Sequence, residues 1–361
     1  MTQGQVNRRD AAGSWSDRQE PTRGGRGRPT WHSRGAQRRR RSVSQALLVC
    51  RLAAMPDSLN PTLLVLSLHV AALCLLWRHA RAATLVLALS MAVAWHVGLM
   101  DLRGVLSAVL VGSTVLAARL WTAHDWPAHG LVRLTAALTC LALALHLLPG
   151  FHNPRLLDQV LVREGATPFT LYASLDKALA GWMLLALVGL GWRDRQALRA
   201  GLRGTLAPVV LTCTAVIGLA WAMGRVQWEG WEGLWPMPPQ APHASWVFLV
   251  VNLFITCVAE EAFFRGWLQS SLQRALTRVQ QRHGPAGTHG LWQALPGLCG
   301  ALLFGLAHAA GGVQQVVLAT LAGLGCAWAF HRTGGSLEAA VLVHFALNAL
   351  HFLAFTYPAL A

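Results

Sequence analysis

Two adjacent acidic residues lie inside one of the apolar stretches of the chain. Glu260 and Glu261 fall well within the run of residues 247–265, whereas the remaining acidic residues of the hydrophobic part occur at the edges of such runs or between them. One ionised carboxylate at the centre of a bilayer costs about 2.5–3.5 kcal/mol on insertion scales. Two neighbouring ones have no evident packing purpose, so we take this pair as a candidate functional site.

The spacing of the nearest basic residue separates the two glutamates. Glu261 and Arg265 are four residues apart, which places them on one face of a helix and predicts an ion pair. Glu260 points about 100° away on the same helix and remains as the carboxylate available for chemistry. The alternative interpretation is that these residues only form buried ion pairs that tie helices together.

Three further polar residues lie in apolar runs nearer the carboxyl terminus. His308 follows Phe304 by one helical turn, so the two rings should pack together, and His344 and Asn348 share a helix face four residues apart. A single histidine in an apolar helix is more often a satisfied core residue than a catalyst. The occurrence of these groups in three of the last four runs predicts one shared polar site.

The order of these residues resembles a known family, the CPBP family of CAAX proteases and bacteriocin-processing enzymes. Its members are glutamic-type intramembrane endopeptidases related to the type II CAAX prenyl endopeptidases. The resemblance covers approximately residues 245–356, and three motifs carry it: Glu260-Glu261-x-x-x-Arg265, Phe304-x-x-x-His308 and His344-x-x-x-Asn348.

This resemblance implies a role for each residue. Glu260 would act as general base with His308 as its partner in holding the attacking water, while His344 and Asn348 would stabilise the oxyanion. The site-supporting residues would be Glu261, Arg265 and Phe304. Hydrolysis of a peptide bond requires both an activated water and stabilisation of the developing oxyanion. No cofactor is then expected.

Zinc is the alternative cofactor. Glu260, His308 and His344 provide the two histidines and one carboxylate of a possible zinc site. The HExxH sequence common in zinc peptidases is absent from the chain.

The composition indicates that membrane-spanning helices position these residues. Hydrophobic residues make up 54% of the chain and charged residues 12%, against about 25% charged residues in a typical soluble domain. The mean hydropathy is +0.42. We therefore predict an all-α, polytopic transmembrane helical bundle of about ten spans (eight to ten). The predicted spans are 62–77, 80–100, 104–122, 130–149, 175–192, 206–224, 246–272, 292–309, 313–330 and 337–356.

Three regions follow from this pattern. Residues 1–54 form an Arg/Gly-rich tail that should be disordered, and one hypothesis is that the natural protein starts at Met55. Residues 55–240 would form an N-terminal membrane region of about six spans, and residues 241–361 a protease domain of about four. The basic residues of the tail are not interleaved with aromatics on a folded domain, so a nucleic-acid partner is not expected.

The links between the predicted spans differ in basic residues, which sets an orientation. If Met55 lies outside, the inner links hold more basic residues than the outer links, as the positive-inside rule requires. The inner set is Arg78, Arg81, Arg119, Arg133, Arg193, Arg195, Arg199, Arg203, Arg274, Arg278, Arg282 and Arg332. The outer set is Arg103, Arg155, Arg163, Lys177 and Arg225.

We expect a multi-pass protein of the bacterial cytoplasmic membrane, with membrane lipid and a membrane-associated peptide or protein as its partners.

Two other classes of function compete with the peptidase. One is a non-catalytic family member that acts as a membrane scaffold or bacteriocin-immunity factor. The other is a transporter or haem-binding protein that uses His69, His96 and His146, although these histidines lack a paired spacing on one helix. Within the peptidase class, the substrate is left open between prenylated CAAX tails, leader peptides and sorting-signal precursors.

Overall fold

The computed structural model describes residues 59–76, 79–121, 129–189, 195–230, 238, 241–283 and 289–361. The predicted tail of residues 1–54 and the proposed start at Met55 lie outside them. A helix occurs within each of the ten apolar runs. They are α1 (Leu59–Leu76), α2 (Ala80–His96), α3 (Leu102–Leu120), α4 (His129–Ala144), α5 (Leu175–Val188), α6 (Arg195–Ala222), α7 (beginning at Ala244 and ending at His283), α8 (His289–Leu306), α9 (Gly312–Arg332) and α10 (Leu337–Ala354).

Helix length distinguishes two groups of predicted spans. Among the described residues, five helices are long and apolar enough to cross a membrane, which makes the chain an integral membrane protein but leaves the number of ten spans a prediction. These five are Leu102–Leu120, Gly201–Ala222, Ala244–Gln281, Ala309–Arg332 and Leu337–Ala354.

Several predicted spans end earlier than the apolar runs do. α4 ends at Ala144 rather than 149, because the backbone leaves the helix at His146, whose φ is 61°. α5 ends at Val188 because Gly189 adopts a φ of 84°, a backbone conformation that glycine tolerates and that cannot continue a right-handed helix.

A short β-hairpin interrupts the helical fold in the link between α4 and α5, where the sequence predicted no strand. Strand β1 (Arg155–Val160) pairs antiparallel with β2 (Phe169–Tyr172). The hairpin packs near the end of the chain, since Arg163 Nη2 donates to the carbonyl of Leu353 at 2.6 Å. It thereby helps to hold the carboxyl-terminal end of α10, the helix that also bears His344 and Asn348.

Helix α7 is irregular on both sides of the adjacent glutamates. It contains α-helical segments Ala244–Val251, Val258–Glu261 and Ser270–His283, separated by π-helical segments Asn252–Cys257 and Ala262–Gln269. π-Helical turns are rare and often occur at functional sites. Glu260 and Glu261 therefore lie in a single α-helical turn between two stretches of wider backbone.

Glycines allow the neighbouring helices to approach α7 and each other closely. A Cβ at Gly181 of α5 would lie 3.1 Å from the Cα of Ala259, the residue before Glu260. A Cβ at Gly323 of α9 would lie 3.0 Å from the Cα of Ala301 in α8. Small residues at helix crossings let backbones come together in membrane proteins. These two helix crossings lie beside the polar residues of α7. They therefore determine which side chains of α5 and α9 can contact those polar residues.

Candidate active site

Glu261 and Arg265 form a fully buried ion pair within α7. Arg265 Nη1 donates to Glu261 Oε1 at 3.0 Å, and both side chains have 0% exposure. Arg265 Nη2 also donates to the carbonyl of Gly323 at 2.8 Å, and its guanidinium lies 4.8 Å from the centroid of the Phe304 ring. The pairing expected from the four-residue spacing is thus present, and it connects α7 to α8 and α9.

His344 lies between the two glutamates. Its Nδ1 is 2.8 Å from Glu261 Oε1, and its Nε2 is 3.9 Å from Glu260 Oε2. Because the Glu261 oxygen also accepts from Arg265, it acts as acceptor for His344, and Nδ1 carries the proton. The remaining nitrogen, Nε2, faces Glu260. Glu261 therefore orients the imidazole toward the second carboxylate.

Glu260 has a partner that the sequence analysis missed. Lys177 Nζ donates to Glu260 Oε1 at 2.7 Å, from the first turn of α5. The side chains of Lys177 and Glu260 are 22% and 19% exposed. The sequence offered one signal for this residue, since Lys177 is the only lysine among the 30 Lys and Arg residues of the chain. In the orientation argument it serves only as a charge of an outer link.

A polar cluster holds the start of α5 in place. Buried Asp176, the residue before Lys177, accepts from His146 Nδ1 at 2.6 Å and from Asn153 Nδ2 at 2.9 Å. Asn153 Oδ1 in turn accepts from the backbone nitrogen of Leu175 at 2.8 Å. His146, proposed above as a ligand of a transporter or haem protein, is here a partner of Asp176. The cluster fixes the backbone from which Lys177 reaches Glu260.

His308 lies just beyond the end of α8, in the turn before α9. Its Nδ1 is 2.8 Å from the carbonyl oxygen of Phe304, and the two rings are 4.8 Å apart between centroids. A carbonyl can only accept a hydrogen bond, so Nδ1 carries the proton and Nε2 is left as an acceptor. Phe304 also lies edge-on to His344, at 5.5 Å between centroids. The ring of Phe304 therefore packs against both imidazoles.

Asn348 follows His344 by one turn of α10 and contacts α7. Its Nδ2 donates to Asn252 Oδ1 at 3.4 Å, and the same oxygen accepts from Cys257 Sγ at 3.2 Å. Asn252 and Cys257 are five residues apart, a spacing that the π-helical segment brings onto one face. An amide nitrogen has two hydrogens, so Asn348 keeps one donor for another group.

One cavity brings the four predicted catalytic residues together. It has a volume of about 160 Å³, and Glu260, His308, His344 and Asn348 line it. Phe304, Thr256, Gln315 and His351 also line it, with Arg225. The imidazoles of His308 and His344, the amide of Asn348 and the ion-paired carboxylate of Glu260 thus border one space large enough for water.

The alternative zinc site requires a convergent set of ligands. Within the described part of the chain, no group of three His, Cys, Asp or Glu side chains has the arrangement of a metal site. Glu260 Oε1 is bonded to Lys177, and His344 Nδ1 to Glu261. The Lys177 ammonium therefore competes with a cation for the Glu260 carboxylate, whereas Glu260 Oε2 and the Nε2 atoms of His308 and His344 carry none of these bonds.

Comparison with known proteins relates this region to one family. Residues 242–350 match the family model described as Type II CAAX prenyl endopeptidase Rce1-like. This segment is therefore similar to the CAAX protease family. The match includes α7 to α9 and most of α10, and with them Glu260, His308, His344 and Asn348. No curated protein and no solved structure matches the chain.

One contact of the polar site comes from outside the segment that matches this family. Lys177 lies on α5, before residue 242, yet it bonds directly to Glu260. Helix α5, which precedes the matched segment, therefore contributes a side chain to the polar site.

Proposed function

We propose that the protein is a glutamic-type intramembrane endopeptidase in which Glu260 is the general base. The observation that supports this proposal best is the cavity that Glu260, His308, His344 and Asn348 line together, inside a domain of a protease family. The substrate would be a membrane-associated peptide or protein, and the family match favours one with a CAAX carboxyl terminus.

Water activation would use Glu260 and His308. A water held between Glu260 Oε2 and His308 Nε2 attacks the carbonyl carbon of the scissile bond, and one of its protons passes to Glu260. Lys177 bonds the other oxygen of the carboxylate, which keeps Glu260 ionised and fixes its orientation. The tetrahedral intermediate then loses its C–N bond, and the proton on Glu260 passes to the leaving nitrogen, which regenerates the base.

Oxyanion stabilisation would use His344 and Asn348. Asn348 supplies the amide hydrogen that Asn252 does not take. The bond of His344 Nδ1 to Glu261 holds the ring, and Nε2, when it carries a proton, is the second donor. Oriented donors of this kind stabilise an oxyanion without reorganisation during the reaction.

The proposed activity is tested on the purified full chain in liposomes. We expect a farnesylated peptide with a CAAX terminus to be cleaved, with the carboxyl-terminal fragment detected by mass spectrometry. Leader-peptide and sorting-signal substrates are offered in parallel. Absence of cleavage throughout this panel, with folded protein, would favour the scaffold or immunity function instead.

Removing the charge of Lys177 should reduce turnover more than substrate binding. In Lys177→Met, Glu260 loses the cation that orients its carboxylate. We expect kcat to fall by roughly tenfold to a hundredfold, which is less than the loss typical when a general base is removed altogether. KM should change by no more than about twofold. The measurement is steady-state kinetics on a cleaved peptide.

Lys177→Arg serves as the matched variant, because it keeps a cation at the same position. It should retain more activity than Lys177→Met. Equal losses in both variants, or a loss confined to KM, would contradict a role in positioning Glu260.

Metal removal should leave the activity unchanged. We expect purified protein to contain no stoichiometric zinc by elemental analysis, and incubation with 1,10-phenanthroline to leave the rate of hydrolysis unaltered. The physical reason is that the Lys177 ammonium already bonds Glu260 Oε1 and opposes a second cation at that carboxylate. If the chelator inhibits hydrolysis and added zinc restores it, the protein would be a metallopeptidase instead.

A further inference from the structure

A second cavity carries a cluster of arginines that the proposed peptidase chemistry does not use. It has a volume of about 430 Å³ and lies between the first turns of α4 and the carboxyl-terminal half of α7. Its lining includes Arg133, Leu134, Trp267, Ser271, Arg274 and Arg278. It therefore combines three guanidinium groups with one aromatic and one aliphatic wall.

The three arginines face one another without a compensating carboxylate. Arg274 and Arg278 are four residues apart on α7, a spacing at which like charges destabilise a helix. Arg274 also lies in the field of Arg133 from α4. In the described part of the chain, no carboxylate is within salt-bridge distance of any of the three. A bound anion would remove this repulsion.

The arrangement of the guanidinium groups suits a phosphate. Arg274 Nη2 donates to Ser271 Oγ at 2.9 Å, which limits the orientations of that side chain. Arg133 is half-buried and approaches from another helix, so the three groups can surround an anion rather than line up along one surface. Arginine binds phosphate oxygens through paired donors in a planar fork.

The apolar surroundings distinguish a lipid phosphate from a free one. Leu131, Leu134 and Leu138 follow one face of α4 and are 65%, 40% and 49% exposed. This stripe of leucines runs along α4 beside Arg133. The acyl chain of a lipid whose phosphate binds Arg133 could lie against it. Trp267 closes the cavity on the α7 side and stacks on Phe263 at 5.4 Å. A soluble anion would need no such surface.

The position of the cluster in the predicted topology agrees with a lipid. Arg133, Arg274 and Arg278 all belong to links that the positive-inside rule assigns to the cytoplasmic side, and the fold brings them together from two distant parts of the chain. The cytoplasmic leaflet carries the anionic lipids, and basic pockets between transmembrane helices bind their headgroups.

From these observations we propose that Arg133, Arg274 and Arg278 form a binding site for the phosphate of an anionic phospholipid, whose acyl chain lies along the leucine stripe of α4. The site is distinct from the cavity that Glu260 lines. Lipid binding at this site requires no peptidase activity. The lipid site can therefore be confirmed or refuted independently of the proposed function.

The experiment measures lipid binding to the purified full chain in detergent by native mass spectrometry. Phosphatidylglycerol is titrated against phosphatidylcholine, and wild-type protein is expected to bind phosphatidylglycerol preferentially. A basic residue near an anionic membrane surface contributes about fivefold to binding, so the triple variant Arg133→Gln, Arg274→Gln, Arg278→Gln should bind phosphatidylglycerol roughly a hundredfold more weakly. The single variant Arg278→Gln should lose about fivefold, which keeps the test decisive if the triple variant does not fold.

A second triple variant controls for net charge. Arg81→Gln, Arg203→Gln and Arg332→Gln remove the same charge from three exposed arginines on α2, α6 and α9. This variant should bind phosphatidylglycerol within about twofold of wild type, since total charge without a shared pocket contributes little to a specific contact. Equal weakening in both triple variants, or wild-type binding in the first, would overturn the site. Displacement of the lipid by millimolar inorganic phosphate would overturn its assignment to a phospholipid.

Discussion

Replacement of Glu260 by glutamine is expected to abolish peptide hydrolysis while the protein remains folded. Glutamine preserves the shape of the side chain but cannot take a proton from water, and loss of a general base typically costs about a hundredfold to ten-thousandfold in rate. Lys177 keeps a carbonyl oxygen as its acceptor and retains partial exposure, at 22%. The measurement is kcat on a cleaved peptide, together with thermal unfolding of the same preparation in detergent.

Glu164→Gln is the matched control for this variant. Glu164 lies exposed in the turn of the β-hairpin, so its substitution should leave both turnover and unfolding temperature close to wild type. Wild-type turnover in Glu260→Gln would remove Glu260 from the role of general base. A large fall in the unfolding temperature of that variant would instead identify the contact with Lys177 as chiefly structural.

Periodic, short-range features of this fold were predictable from the sequence. Helices occur in all ten predicted runs, and the four-residue spacing of Glu261 and Arg265 identified their ion pair. The ends of the helices were less predictable, because a local conformation such as the positive φ of His146 terminates α4 while hydrophobic residues continue. The sequence did not predict the β-hairpin, because its strands are only four and six residues long and give little periodic signal. Tertiary contacts hold them in place.

The polar site was predictable only where its partners share a helix or a motif. Glu260, His308, His344 and Asn348 line one cavity, as their motifs suggested. Lys177 was missed because its contact with Glu260 spans 83 residues of sequence and depends on the close approach at Gly181. Asn252 was missed because its partnership with Cys257 depends on a π-helical segment, which hydrophobic periodicity does not indicate. Long-range contacts and helix irregularities are thus what the sequence alone left undetermined.

Removal of Arg265 is expected to cause the largest loss of stability in this region. In Arg265→Met, the carboxylate of Glu261 stays in a site of 0% exposure without its cation, and breaking a buried ion pair in this way typically costs about 3–5 kcal/mol. Glu261→Gln should also destabilise the fold, because it leaves the buried guanidinium unpaired. We expect a low yield of monodisperse protein and a lower unfolding temperature in both variants. Arg332→Met, which removes an exposed arginine from the end of α9, should unfold as wild type does.

The double variant Glu261→Leu, Arg265→Met separates the two tasks of this pair. Replacement of both charges by apolar groups removes the desolvation penalty along with the attraction, so stability should recover much of the way to wild type. Activity should stay low even in the folded double variant, because His344 Nδ1 then lacks the acceptor that directs its Nε2 toward Glu260. Full recovery of both stability and turnover would show that Glu261 only neutralises Arg265. Recovery of neither would point to the bond between Arg265 and the Gly323 carbonyl as the contact that the packing of α7 on α9 requires.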